Sequence, residues 1–248
     1  MFFSCASLSN SSFFVPSINK QAASGHWITR PSENTIIIIG ISSQHVKKDD
    51  DISEAKEDAA RKVSMYHGIR GYIESFHNSG VNFFDYISDS KIELDYDTDF
   101  EKYIDQLSFD PKVDVINIDK SVFVRFKYST ASIHVDFTAS LNENGRPNWT
   151  YSRDLPEIDE YMISVGFARN QVRLKDTIKK STEAAAARLI EDMSAQIMSY
   201  DKSATGKGAS SMIQTRSQGK LFNFQIIEFW IDPETGYVYT LAIAKQGN

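Results

Sequence analysis

Two stretches of the chain carry the same alternation of apolar and polar positions. In 53–75 (SEAKEDAARKVSMYHGIRGYIES), Ala55, Ala59, Val63, Tyr66, Ile69 and Ile73 recur at steps of three and four, with Ile52 just upstream. That spacing draws one apolar stripe along a helix. In 179–199 (KKSTEAAAARLIEDMSAQIMS), Ala185, Leu189, Met193 and Ile197 do the same, with Ile178 before them. Each predicted helix follows a short apolar run ending at glycine, TIIIIG at 35–40 and YMISVG at 161–166, and a tryptophan stands before each run, Trp27 and Trp149. Downstream, 115–119 (VINID) leads into 122–126 (VFVRF), and 226–232 (IIEFWID) leads into 237–243 (YVYTLAI). Both pairs read as hairpins. The second has its turn at Asp232-Pro233-Glu234-Thr235-Gly236, with proline and glycine where a turn needs a fixed or a positive φ.

The implied unit is strand, helix, then antiparallel strands, used twice. Gly40 and Gly166 are 126 residues apart (166 − 40), while Arg61 and Arg188, each closing an Ala-Ala-Arg triplet, are 127 apart (188 − 61). One residue of drift in a loop is what a diverged duplication leaves, and so long a period means duplicated domains rather than a solenoid. The expected fold class is α+β: two tandem repeats of strand, long helix and antiparallel strands, each helix packed on a mostly antiparallel sheet. The alanines lie toward the N-terminal half of each stripe, where small side chains let a helix approach a sheet closely. The expected divisions are a tether over 1–26, a first module over 27–140 and a second over 141–248, with 141–147 (LNENGRP) as the boundary. Smaller elements follow. We expect one strand over 27–40, a hairpin over 81–95 and a short helix over 98–107 opened by a capping box of Thr98 and Glu101. The strands over 211–231 are expected to break at Gly219.

Composition and charge act mainly by exclusion. The net charge is −6 and the basic residues are dispersed, so no clustered positive face is expected for nucleic acid. No run approaches a membrane-spanning helix. Cys5 is the only cysteine, which excludes an internal disulfide and a cysteine-based zinc site. Among His26, His45, His67, His77 and His134, no two stand four apart with a glutamate between, so the zincin pattern is absent. No Gly-x-Ser-x-Gly elbow occurs. Asp49-Asp50-Asp51 complements the positive end of the following helix, since no glycine and glutamate follow at calcium-loop spacing. Gly206-Lys207-Gly208 lacks the spacing of a phosphate-binding loop and reads as part of a flexible connector over 201–211. No catalytic residue, cofactor or metal is expected. A carboxylate dyad assembled from distant positions is compatible with the sequence and not legible in it.

Cys5 stands behind Met1-Phe2-Phe3-Ser4 and ahead of a serine-rich run, as the lipidated cysteine of a bacterial lipoprotein stands ahead of its polar tether. The basic and apolar regions of a signal peptide do not precede it. Either the start lies farther upstream, or Cys5 is incidental in an N-terminal tail.

One combination of features resembles the LPP-twenty lipoprotein family. It comprises a strand that begins near tryptophan and ends in Ile-Gly-Ile-Ser (39–42), then EAKEDAARKV (54–63), then Ile-Glu-Ser (73–75). The closing turn and strand over 232–244 are also similar to it. That family shares its module with the N-terminal domain of the flagellar assembly protein T. The resemblance implies bacterial envelope lipoproteins of mixed helix–sheet fold without known enzymatic activity, with modules here over about 27–138 and 149–245. It implies lipid attachment at Cys5 and a place in the cell envelope, at the outer membrane, its periplasmic face or the surface. The partners would be the membrane, through the anchor, and an envelope protein or cell-wall component. Two alternatives stand beside it: a soluble hydrolase-type enzyme with a cleft between the halves, and a component of a larger envelope assembly such as the flagellar apparatus.

Overall fold

A computed structural model describes residues 17–29, 34–77, 91–118, 120–130, 135, 137, 139–151, 155, 157, 158, 160–201 and 213–247. In chain order the elements are α1 (Ile18–Ser24), β1 (His26–Ile28), β2 (Thr35–Ser43), α2 (Lys48–His67), β3 (Ile69–His77), β4 (Lys91–Tyr96), α3 (Glu101–Ile104), β5 (Leu107–Ser108), β6 (Val115–Ile118), β7 (Ser121–Ser129), a 3-10 turn (Asn148–Tyr151), β8 (Met162–Ala168), α4 (Leu174–Asp201), β9 (Ile213–Ile231) and β10 (Val238–Gln246).

The protein is α+β, with two antiparallel sheets. In the smaller sheet β2 runs the length of β7, Thr35 opposite Ser129 and Ser43 opposite Ser121, while β5 and β6 share the other edge of β7. In the larger sheet the order is β8, β10, β9. The far edge of β9 is taken by β3, Ile69 opposite Leu221, and further along by β1, His26 opposite Trp230. β4 lies outside β3. Strands from the first part of the chain therefore complete the larger sheet.

Both long helices lie on sheets through the stripes read from sequence. Ala55, Ala59 and Val63 of α2 pack with Ile36, Ile38, Val124 and Phe126 of the smaller sheet. Ala185, Leu189 and Met193 of α4 pack with Leu221, Phe224 and Ala242 of the larger. At about 1.5–3 kcal/mol for each large apolar side chain buried, these two contacts dominate the core. The sheets themselves are joined by an aromatic stack. Trp27 of β1 lies between Phe123 of β7, 4.7 Å away, and Phe229 of β9, 5.4 Å away. On the other face of the larger sheet, Trp149 packs with Val165, Ile227, Trp230 and Leu241.

Several expectations change. The run 27–40 is two strands in different sheets, because β1 pairs β9 while β2 pairs β7. The helix expected over 53–75 occupies 48–67, and Ile69 and Ile73 belong to β3. A spacing of four fits both periods, and the local pattern is alternation: Ile69 and Ile73 are fully buried while Arg70 is exposed. The Thr98 capping box does not form; α3 starts at Glu101 with no side-chain cap. β9 is continuous through Gly219. That glycine and its cross-strand partner Gly71 make room for Ile190 and Met193 of α4, whose side-chain atoms stand 2.1 Å from where a Cβ would lie. Much of the hairpin expected over 81–95 lies outside the described residues, and 91–96 pairs with β3.

Gly40 and Gly166 do not end their strands. They sit within β2 and β8, where the following helix crosses closest. A Cβ on Gly40 would lie 2.0 Å from the Ala55 carbonyl oxygen, and one on Gly166 would lie 1.9 Å from that of Ser181. Each oxygen is 15 residues beyond its glycine (55 − 40, 181 − 166). The carbonyl before each glycine accepts a bond from a cation on the helix: Lys62 Nζ to Ile39 O at 2.6 Å, Arg188 Nη1 to Val165 O at 2.5 Å. Both cations lie 23 residues beyond their acceptors (62 − 39, 188 − 165). Lys62, not Arg61, makes the contact that Arg188 makes.

Candidate functional site

The two sheets and α2 meet around the outer edge of β2. Three α2 residues one turn apart occupy that edge. Glu54 accepts from the Ser43 N–H at 3.0 Å, Asp58 accepts from the Ile41 N–H at 2.9 Å, and Lys62 donates to the Ile39 carbonyl while bonding Asp58 at 2.7 Å. An edge strand otherwise presents bare N–H and C=O groups. Here the helix covers the C-terminal half of the edge and leaves the N-terminal half.

Below that uncovered half lies a cavity lined by Thr29, Ile36 to Ile39, Lys62 and Tyr66 on one side and by Ile178, Phe224, Gln225, Ile226 and Phe229 on the other. Its volume is about 30 Å³, enough for about two waters, and it opens into about 520 Å³ of free space counted out through the mouth. Isoleucine and phenylalanine make up most of the wall, with Thr29, Lys62, Tyr66 and Gln225 its polar members. Gln225 is 6% exposed, and among the described residues neither its Nε2 nor its Oε1 has a hydrogen-bond partner. No histidine or carboxylate is among the described residues that line the cavity.

At the end of α2 a polar cluster ties the two helices together. Glu54 is paired with Lys175 of α4 and, at 2.8 Å, with His45 of the β2–α2 loop. Burial alone would raise the Glu54 carboxyl, but the bonds from Lys175 and His45 outweigh it and hold the group below the ordinary glutamate value. The bond to Glu54 in turn raises His45. Near this cluster the loops that lead into the two long helices each expose a valine completely: Val46 before α2 and Val172 before α4, 126 residues apart (172 − 46).

A second buried polar group lies on the far face of the larger sheet. Glu228, wholly buried, accepts from Trp149 Nε1 at 2.7 Å and bonds His26 Nε2 at 2.7 Å. This ties β1 and the 3-10 turn to β9. Nearby, the Arg146 guanidinium stands over the rings of Tyr151, Tyr239 and Trp230 at 4.2, 4.8 and 5.4 Å.

The other histidines are dispersed. His67 stacks on Tyr103 at 5.0 Å and bonds the Tyr128 hydroxyl at 3.0 Å; burial lowers its pKa. The side chain of His77, and His134, lie outside the described residues, as do Cys5 and Gly206-Lys207-Gly208. Asp49 and Asp50 are exposed in the first turn of α2, and Asp51 is buried, accepting from the His45 N–H. Among the described residues no group of three or more His, Cys, Asp or Glu side chains could hold a metal ion, and no helix is long and apolar enough to cross a membrane. Sequence reasoning missed Gln225, because one polar residue in the run LFNFQIIEFW reads as an outward-facing strand position.

The fold and the site define an α+β protein with an apolar cavity at the junction of two antiparallel sheets. Set against known protein families, curated proteins and solved structures, the chain matches none.

Proposed function

We propose that this chain is a bacterial envelope lipoprotein, anchored through Cys5, that docks on an envelope protein or cell-wall component through two copies of one strand–helix–hairpin unit and catalyses no reaction. The duplication is supported by the glycine, carbonyl and cation spacings that recur 126 residues apart, and by a shared strand order. β2, β7, β6 in one sheet corresponds to β8, β10, β9 in the other, with the last strand of each hairpin in the middle. The observation that carries the docking role is the pair of fully exposed valines, Val46 and Val172, at equivalent loop tips beside the Lys175–Glu54–His45 link. Single exposed apolar residues are common on protein surfaces. Here two stand at matched positions, each in the loop leading into a helix, and those helices are linked through Lys175 and Glu54.

Two measurements test the reading. Metabolic labelling with an alkyne fatty acid is expected to mark the full-length product and not Cys5→Ala; equal labelling, or none, would sink the anchor. Photo-cross-linkers placed at Val46 and Val172 are expected to give adducts in intact cells, while one at exposed Val113 gives none. Equal yields at all three positions would remove the docking face.

A further inference from the structure

The cavity holds hydrogen-bonding capacity that the fold does not use. Gln225 is buried, and among the described residues its donor and its acceptor are both unpaired. A buried amide without a partner is destabilising, and most such groups are satisfied. The second source of capacity is β2. Its odd-numbered residues turn their N–H and C=O away from β7, since Ile41 N and Ser43 N are taken by Asp58 and Glu54 and Ile39 O by Lys62. Ile37 has the same parity, lines the cavity and has no partner for its outward backbone groups among the described residues. An amide side chain and a strand edge, each offering one donor and one acceptor, face a space walled by isoleucine and phenylalanine.

We infer that this cavity receives a short, extended, apolar peptide segment of a partner, whose main chain pairs with the free edge at Ile37 and with the Gln225 carboxamide. The inference deepens the binding role proposed above and rests on it for the source of the peptide. A peptide unit matches both groups because it carries one N–H and one C=O, and strand addition at a sheet edge is an established mode of peptide capture. An anionic ligand fits less well, since Lys62, the one cation among the described residues that line the cavity, already serves the Ile39 carbonyl and Asp58. An enclosed volume of about 30 Å³ keeps the buried part of the segment short. Helix α2 limits the segment at Ile39, where Lys62 closes the edge.

The test uses the full chain, unacylated and ¹⁵N-labelled, titrated with N-acetyl-valine-N′-methylamide. Saturable shifts are expected at the Ile37 backbone amide and the Gln225 side-chain NH₂. Gln225→Leu is expected to weaken binding about tenfold, the equivalent of one hydrogen bond. Ile37→Pro is expected to weaken it comparably, and the fold tolerates that change because the lost N–H faces away from β7. If the cavity holds only water, no saturable shift appears and the inference falls. Saturable binding left unchanged by both substitutions also overturns it. Because the chain carries no lipid here, a negative labelling result at Cys5 leaves this outcome untouched, and the two readings fail separately.

Discussion

Replacing Gly40 or Gly166 by alanine measures how much of the fold hangs on one helix–strand contact. At either site the new Cβ meets backbone first: 2.0 Å from the Ala55 carbonyl oxygen, with the Phe126 ring at 2.9 Å, or 1.9 Å from the Ser181 carbonyl oxygen and 2.4 Å from the Ala185 nitrogen. Restoring an ordinary contact of 3.4 Å over Gly40 requires α2 to retreat by 1.4 Å (3.4 − 2.0). A gap of about 0.5–1 Å already forfeits a quarter to a half of the dispersion attraction. The retreating face carries Ala55, Ala59 and Val63, all fully buried. Overpacking alone costs about 1–3 kcal/mol, and the loosened face adds to it, so each variant should lose about 3 kcal/mol. At about 2–4 °C per kcal/mol for a chain this long, the midpoint falls by about 6–12 °C. Two controls separate contact from glycine chemistry. Gly71→Ala meets the tip of Ile190, which can rotate away, and should cost about 1 kcal/mol or less. Gly145→Ala meets nothing within 4 Å and suffers only from its φ of +75°, again about 1 kcal/mol. Urea unfolding followed by circular dichroism gives all four values. Gly40→Ala and Gly166→Ala lying within about 0.5 kcal/mol of the parent would refute the close-approach reasoning.

Glu228→Leu should cost about 3 kcal/mol, because it leaves the Trp149 and His26 donors buried without their acceptor; a thermal melt shifted by less than a degree would contradict this. Gln225→Leu should raise stability by about 1 kcal/mol, since it removes an unpaired buried amide, and a lower midpoint in urea would show that the amide has a partner after all. The His45–Glu54 bond predicts a pH profile of known sign. The raised His45 contributes fully below 6.5 and loses its share as pH climbs through its folded value, while the lowered Glu54 contributes fully above 4.5 and loses its share as pH drops through its own. His45→Gln should therefore flatten the alkaline decline, and a profile parallel to that of the parent at all pH values would contradict the assignment. Expressed alone, 141–248 should aggregate or stay unfolded, because its sheet lacks β1 and β3; a cooperative melt of that fragment would show otherwise.

The two long helices and the two hairpins were legible because each rests on local pattern. A stripe at helical period and a Pro–Gly turn need no knowledge of distant chain, whereas Gly40 and Gly166 read as strand ends because only the crossing helix shows why a glycine is needed in mid-strand. The end of α2 was not legible in the same way. Ile69 and Ile73 satisfy helical and strand periods at once, and only their pairing with Leu221 and Ser217 decides for β3. Lys62 was hidden by identity, since the Ala-Ala-Arg triplets match letter for letter while the geometry asks only for a cation within reach of a carbonyl. Gln225 and Glu228 were hidden more deeply. Both interrupt an apolar strand, one ending at a cavity and the other in a closed bonding group, and no local feature tells these outcomes apart.

The interlocking of the sheets bears on where binding capacity can arise. The cavity lies where the edge of β2 meets β9: Ile37 and Lys62 come from the smaller sheet and its helix, Gln225 and Phe229 from the larger sheet. Trp27 fixes that meeting, since its ring touches Phe123 of the smaller sheet and Phe229 of the larger at stacking distance. β1 is only three residues long, too short for its own pairing to hold the sheets together. The stack supplies what the ladder cannot, and it does so beside Phe229, which also lines the cavity. A change at Trp27 therefore acts on the cavity through Phe229, and the space between the sheets is one that neither sheet encloses alone.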